Sequence, residues 1–280
     1  MDPEGREMPA RAAGRVFASS QPLPGDLVQA RAEGETLLVE DVLPRRNTLT
    51  RADRKGEPRE LAANIDLVLA VMAVLRPEFS PGLLDRILAA AEWDRLSAVV
   101  VLNKTDLAAD SGGRQPARLL EDYRAAGYTC LPASCNTGLG IDGIAELTGG
   151  HVVMMTGPSG AGKTSIARRL RPDLDLKVGG LSPRTSRGRH TTTSSRLVHL
   201  GRGAFLMDTP GIQGCSVGHI PAGGLGECFP EIRRLSDSCR FRDCYHHKEP
   251  GCAVRSAVAE GAVPEGRYRS YLELLERVRG

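Results

Sequence analysis

Apolar and polar positions along the chain fall into three textures. Up to about residue 58, apolar residues come in short runs, GRVFAS, GDLVQAR and ETLLVEDV, separated by Gly and Pro. That is the pattern of short β-strands joined by turns, as in a small barrel or an edge sheet. After Arg59 the runs become continuous: IDLVLAVMAVL, AVVVL, HVVMM and GAFLM. Strands with so few polar positions are buried on both faces. Between them, LLDRILAAAEW and ARLLEDYRAAG space their apolar residues three and four apart, which is helical. Buried strands alternating with helices predict a parallel α/β sheet. From about Gly214 the texture turns to Cys, His, Pro and Arg, and ends in the helical stretch GRYRSYLELLERVRG. The expected division is a β domain over 1–58, an α/β domain over 59–213 and a helical domain over 214–280. No internal repeat or low-complexity tract interrupts it.

Composition narrows the class. The chain has 280 residues, 41% hydrophobic and 25% charged, enough apolar mass for a real core. Its longest apolar stretch, Ile65 to Leu75, is 11 residues and contains Asp66, well short of the ~20 that cross a bilayer. The N-terminus MDPEGREMPAR carries three acids and no apolar core of a secretory signal. Three of the seven cysteines fall within 14 residues, beside histidines. Without a signal, that favours a reducing compartment and metal ligation over disulfides. A soluble cytoplasmic protein, monomeric and without a membrane partner, is expected.

Charge adds a hint about partners. The net charge of +3 hides an acid-free segment from Leu176 to Met207 that holds Lys177, Arg184, Arg187, Arg189, Arg196 and Arg202. A second cluster, Arg45, Arg46, Arg51, Arg54, Lys55 and Arg59, has three acids near it. Unopposed cations of this density point to a polyanionic partner or ligand.

The strongest chemical signal follows HVVMM. Gly157-Pro158-Ser159-Gly160-Ala161-Gly162-Lys163-Thr164-Ser165 matches G-x-x-x-x-G-K-[ST] between a strand and a helix start. Glycines let backbone N–H groups turn inward around a β-phosphate, Lys163 reaches the β and γ oxygens, and the Thr164 hydroxyl ligates Mg²⁺. The strand AVVVL runs into Asn103-Lys104-Thr105-Asp106, an N-K-x-D pattern. A carboxylate at Asp106 accepts from both guanine N1–H and the exocyclic N2 amine, a donor pair that adenine lacks. Asn103 would bond the N7/O6 edge and steady the loop, and the Lys104 stem would cover the ring. Ser134, in Pro132-Ala-Ser-Cys-Asn-Thr-Gly138, belongs to a supporting loop whose backbone would meet guanine O6. Asp208-Thr-Pro-Gly211 supplies D-x-x-G after GAFLM, with Asp208 holding Mg²⁺ through water and the Gly211 N–H sensing the γ-phosphate. In His190-Thr191-Thr192-Thr193, Thr192 is the expected first-switch ligand of Mg²⁺. The order is that of a circularly permuted GTPase, because the base-reading motif precedes both phosphate motifs.

Cys239-x4-Cys244-x-His246-x5-Cys252 offers three thiolates and an imidazole, a set suited to one closed, structural Zn²⁺ site. The adjacent His247 is an alternative fourth ligand. Cys130, Cys135, Cys215 and Cys228 read as buried thiols. Arg233, Arg234, Arg240, Arg242 and Arg255 surround the cluster, consistent with a nucleic-acid surface stiffened by metal.

Taken together, NKTD before GPSGAGKTS, then GRHTTT, DTPG, FPEI and CRFRDCYHHKEPGCAV, resemble the ribosome small-subunit-dependent GTPase A family (RsgA/YjeQ), from about Gly14 to the C-terminus. The resemblance implies an N-terminal OB-like β-barrel, a circularly permuted P-loop GTPase domain and a C-terminal helical zinc module. It implies GTP hydrolysis to GDP stimulated by the 30S ribosomal subunit, action late in that subunit's maturation, rRNA binding and a cytoplasmic location. It selects His246 over His247. Thirteen residues precede Gly14 where the family has about two further strands, so the barrel's completeness is open. Ile212 follows Gly211 where Ras-like enzymes have a water-orienting Gln; family members share the apolar residue, which implies slow intrinsic turnover. His190 is then the internal candidate for activating water. Two other readings compete: an ATP-dependent P-loop kinase, and an RNA-binding zinc protein with a degenerate nucleotide site.

Overall fold

In the computed structural model of the chain, the described residues are 8–14, 16, 21–52, 57–113, 115–174, 196–208 and 217–279. The continuous apolar run at 65–75 becomes the central strand β6 (Leu67–Ala73), every residue of which is buried. Around it lies a six-stranded sheet in the order β10–β11–β9–β6–β7–β8, formed with β7 (Ser97–Asn103), β8 (Thr129–Pro132), β9 (Val152–Thr156), β10 (Arg196–Gly201) and β11 (Ala204–Asp208). All neighbours are parallel except β10, which pairs antiparallel with β11.

Helices cover both faces, which is why the strands read as unbroken hydrophobic runs. Leu69 and Val71 point to one face, with Ile144 of α4 (Ile141–Thr148) and Ile166 of α5 (Lys163–Leu170). Ala70 and Met72 point to the other, with Leu84, Ile87 and Leu88 of α1 (Pro81–Trp93). The expected helix at 117–127 is two short ones, α2 (Pro116–Leu119) and α3 (Glu121–Ala126).

The second face does not end at the α/β unit. The same core continues through Leu225, Phe229, Ile232, Val254, Tyr271 and Leu275. These come from the C-terminal turn Ala222–Cys228, from Phe229 that caps it, and from α6 (Pro230–Ser236), α7 (Ala253–Ala259) and α8 (Glu265–Arg279). At its centre Arg267 is 2% exposed and donates to Asp85 of α1 at 2.6 Å and to Glu231 of α6 at 2.7 Å. Phe229, Tyr123 and Tyr128 present their rings to its guanidinium. Burial works against a charge there, but the two carboxylates outweigh it and hold Arg267 protonated.

The N-terminal strands form two small sheets. β1 (Ala10–Ala12) and β2 (Val28–Glu33) flank β3 (Thr36–Val42), while β4 (Thr48–Ala52) pairs with β5 (Pro58–Ala63). Among the described residues no ladder joins the two sheets. Of GRVFAS only Gly14 and Val16 are described, and Val16 turns back to donate to the Ala13 carbonyl. The β4–β5 ribbon is anchored on the large sheet instead: Leu49 and Ala62 pack with Val68, Met154 and Met207. The Thr50 amide donates to Asp94 at 2.9 Å. Two cations of the first basic cluster are consumed here, Arg45 by Asp26 and Glu60 and Arg46 by Asp66. No helix among the described residues is long and apolar enough to cross a membrane.

Candidate functional site

The C-terminal ends of parallel strands are where α/β sheets place ligands, and four motifs meet there. Asn103 ends β7, Pro132 ends β8, Thr156 ends β9 and Asp208 ends β11. Two of the loops, NKTD and the P-loop, are 54 residues apart in sequence at their first residues, Asn103 and Gly157, yet sit on strands separated only by β6.

Two glycines shape the P-loop. Gly157 has φ +140°, and a Cβ on it would lie 1.9 Å from the Val71 carbonyl oxygen of β6. Gly162 has φ +97°, and a Cβ there would lie 2.1 Å from Asn103 Nδ2. A side chain at 157 would push the loop off the sheet, and one at 162 would displace the Asn103 amide. Between them Ser159 is exposed, Pro158 is half-buried, Ala161 is buried, and Gly160 passes Pro77. Lys163 is 7% exposed and its Nζ donates to the Gly157 and Pro158 carbonyls, both at 2.8 Å. Burial pushes its ammonium pKa down. Thr164 is half-buried and Ser165 is exposed.

The other loop is tied to this one. Asn103, 1% exposed, donates from Nδ2 to the Ala161 carbonyl at 2.8 Å and accepts the Cys135 amide at 3.3 Å. Both ends of its amide are therefore engaged within the protein. Thr105 bonds the Ala133 carbonyl through its hydroxyl and amide. Lys104 has φ +60° and sends its Nζ to the Arg76 carbonyl. Ser134, fully buried, donates to Asp106 Oδ1 at 2.6 Å, and Asn136 Nδ2 approaches Oδ2 at 3.4 Å. The Ser134 hydroxyl holds the Asp106 carboxyl below the ordinary carboxylate range, so it stays an ionised acceptor. Asn103, Lys104, Asp106, Cys135 and Asn136 line an open cleft of about 590 Å³ together with Arg76, Arg168 and Arg169. Those arginines carried no motif signal: Arg168 and Arg169 sit in an ordinary helix, and only the fold turns them to the cleft.

Of the remaining sequence candidates, the backbone of Asp208 is described but its side chain is not. His190, Thr192, Gly211 and Ile212 lie outside the described residues, as does most of the basic segment from Lys177 to Arg196.

The second centre is built from a short stretch. Cys239, Cys244, His246 and Cys252 bring one ligand atom each to within 4.8 Å of one another. Cys239 and Cys252 sulfurs are 3.9 Å apart, and His246 Nδ1 is 3.5 Å from each. Around zinc, with Zn–S about 2.3 Å and Zn–N about 2.0 Å, tetrahedral ligands stand about 3.8 Å (S···S) and about 3.5 Å (S···N) apart. The donor set fits the ion. His246 has φ +56°, and its Nε2 faces the Ser236 hydroxyl at 3.3 Å, which leaves Nδ1 for the metal. His247 is not in the cluster. Helix α8 braces the loop: Tyr268 donates to the His246 carbonyl at 2.6 Å and Tyr271 to the Tyr245 carbonyl at 2.7 Å. Among the other cysteines, Cys228 is buried, Cys130 and Cys135 are half-buried, and Cys215 is not described.

Fold and motif order define a circularly permuted P-loop GTPase carrying a C-terminal Cys3His module. The RsgA GTPase family model matches residues 42–218. The chain is 42% identical, over 88% of its length and 80% of the relative's, to the small ribosomal subunit biogenesis GTPase RsgA of Gemmatimonas aurantiaca. It is 39% identical, over 90% and 73%, to the protein of that name in Pseudomonas putida. Among solved structures it is similar to YjeQ from Thermotoga maritima, with 30% identity, a TM-score of 0.84, and coverage of 100% of this chain and 92% of that one. It also matches YloQ, described as a circularly permuted GTPase, with 28% identity, a TM-score of 0.73, and coverage of 96% and 85%. The chain belongs to the RsgA GTPase family. It is a GTP hydrolase, and the kinase and degenerate-site readings fall away.

Proposed function

We propose that this GTPase acts in maturation of the small ribosomal subunit, binding the 30S particle and its rRNA and hydrolysing GTP to GDP and phosphate under stimulation by that particle. The names of its relatives support this reading, and the cleft supplies the chemistry. The observation that carries guanine over adenine is Asp106, ionised and held open by Ser134 beside the P-loop. Its two oxygens accept the N1–H and N2 donors of guanine, Asn103 steadies the loops and turns the second N–H of its amide nitrogen to the N7/O6 edge, and the Lys104 stem covers the ring.

Backbone amides of residues 157–165 receive the β-phosphate. Lys163 leaves the two loop carbonyls and takes the β and γ oxygens, a stronger charge-assisted contact. Thr164 and Thr192 would hold Mg²⁺, with Asp208 reaching it through water; the ion neutralises charge on the β and γ oxygens. The Gly211 N–H senses the γ-phosphate, and His190 orients the attacking water when the particle's rRNA engages the basic segment around it. Cys239, Cys244, His246 and Cys252 hold a structural zinc that stiffens the arginine-bearing loop. The functional units are 1–58, 59–213 and 214–280, with the β4–β5 ribbon crossing the first border.

Phosphate release measured with and without purified 30S subunits tests the reading. Multiple turnover accelerated by the particle is expected. Equal rates in both, or ATP displacing GTP at equal concentration, would refute it. His190→Ala should keep GTP binding and 30S association but lose most of the acceleration; full acceleration in that variant would move the activating group elsewhere, a ribosomal component first.

A further inference from the structure

Three cations on the cleft wall, Arg76, Arg168 and Arg169, belong to none of the motifs. Arg169 is in the last turn of α5, the helix that starts at Lys163. Its guanidinium crosses to the supporting loop, where Nε donates to the Cys135 carbonyl at 2.8 Å and Nη2 to the Asn136 carbonyl at 3.3 Å. The loop's own bonds explain why those carbonyls matter. Cys135 N–H is spent on Asn103, Thr137 N–H on the Ser134 hydroxyl and Gly138 N–H on the Ser134 carbonyl. Among the described residues the Asn136 N–H has no such acceptor. A trans peptide points its N–H opposite to its C=O. With the Cys135 carbonyl drawn to Arg169, the Asn136 N–H of the same peptide is turned away from Arg169, in a loop whose Cys135 and Asn136 line the cleft and whose Asn136 side chain approaches Asp106 at 3.4 Å.

We propose that Arg169 is a positioning residue for base specificity: by hooking the Cys135 and Asn136 carbonyls, it aims the loop's N–H donor at the oxygen on C6 of guanine. An amine at C6, as in adenine, would meet a donor there. The inference rests on the reading of Asp106 as the guanine acceptor, but it concerns a different edge of the base. It also closes a ring. The Ala161 carbonyl of the P-loop holds Asn103, Asn103 holds Cys135, Cys135 is held by Arg169, and Arg169 returns through α5 to the P-loop. A phosphate seated in the P-loop thereby acts on the same framework that aims the base contact.

The two edges can be read separately with three diphosphates. GDP carries both groups, IDP lacks the N2 amine that faces Asp106, and 6-thio-GDP replaces O6 by a poorer acceptor. Binding to the full-length protein is measured by calorimetry. Arg169→Ala should weaken GDP about threefold to tenfold, the size of one or two partly exposed hydrogen bonds. It should shrink the GDP to 6-thio-GDP preference by a similar factor and leave the GDP to IDP preference unchanged. Arg169→Lys, which keeps one donor, should recover part of the 6-thio discrimination. Asp106→Asn should show the converse pattern. An unchanged GDP to 6-thio-GDP ratio in Arg169→Ala overturns the proposal, as does an equal fall for all three ligands, which marks a merely structural role. An unchanged GDP to IDP ratio in Asp106→Asn would instead overturn the base-reading assignment itself.

Discussion

Arg169 and Arg267 are each held by two partners, yet they sit in regions that treat charge in opposite ways. Arg169 lies open on the cleft wall and bonds neutral carbonyls. Arg267 is sealed between Asp85 and Glu231 and enclosed by aromatic rings from both sides of the interface. In the cleft the charged groups are kept accessible, so their loss costs affinity and little stability. In the C-terminal module the charges are spent on one another, so loss of one strands the rest in a dry core. The difference identifies which polar clusters are architecture and which are chemistry, and residue type alone does not.

The largest effect expected is removal of metal. In isolated zinc modules the ion contributes roughly 10 kcal/mol or more. Cys252→Ser, or chelation, should therefore release zinc and unfold the C-terminal module, read by metal content and far-UV circular dichroism. Because that module shares a core with α1 and the sheet, the unfolding temperature of the whole chain should fall, not only that of one segment. Retained 30S affinity in the metal-free protein would show that the Cys3His loop is outside the interface.

Next in size is Arg267→Ala. Leaving Asp85 and Glu231 buried without their cation should cost about 3–5 kcal/mol in urea unfolding. Replacing all three charges at once, as Arg267→Met with Asp85→Asn and Glu231→Gln, should recover a large part of that loss. If the single variant costs under ~1 kcal/mol, the contrast between the two regions fails.

Asp106→Asn probes the open side. It removes one of two acceptors for a donor pair, which should weaken GDP by about 2 kcal/mol, or roughly thirtyfold. Its urea midpoint should stay close to that of the parent, since Asp106 bonds only exposed or loop groups. A large drop in stability would place Asp106 with the architecture instead.

The smallest effect tests a group between the two extremes. Asp94 is half-buried under the β4–β5 ribbon, and burial pushes its carboxyl up to about 6. A folded-state value above the unfolded one, near 4, means that the folded chain binds the proton more tightly between them. Stability should accordingly fall as pH rises from about 4 to about 6, and stay lower above that. Asp94→Asn keeps an acceptor for the Thr50 amide and removes the charge. It should raise stability at neutral pH by about 1 kcal/mol, discounted for partial exposure, and flatten the slope over that interval. Unfolding midpoints at the two ends of the interval measure it.

Much of this molecule was legible from residue order. Continuous apolar runs at 67–73, 97–103 and 152–156 could only be doubly covered strands, because a parallel sheet with helices on both faces has no wet side. The P-loop, N-K-x-D and the cysteine spacing were readable for a related reason: each packs its chemistry into one short local segment, where spacing and geometry are nearly the same thing. The N-terminal strands were harder. Their runs are short and exposed, so alternation told little about which partner each would find; β4 and β5 pair with each other and pack on the α/β core. The basic cluster at 45–59 also changed meaning, since two of its arginines meet acids that are 15 to 20 residues away. Arg267 and Asp85 are separated by 182 residues, and Arg169 and Cys135 by 34. No local pattern couples positions so distant, because what joins them is the packing of α8 on α1 and of α5 beside the base loop, and packing is a property of the folded chain alone.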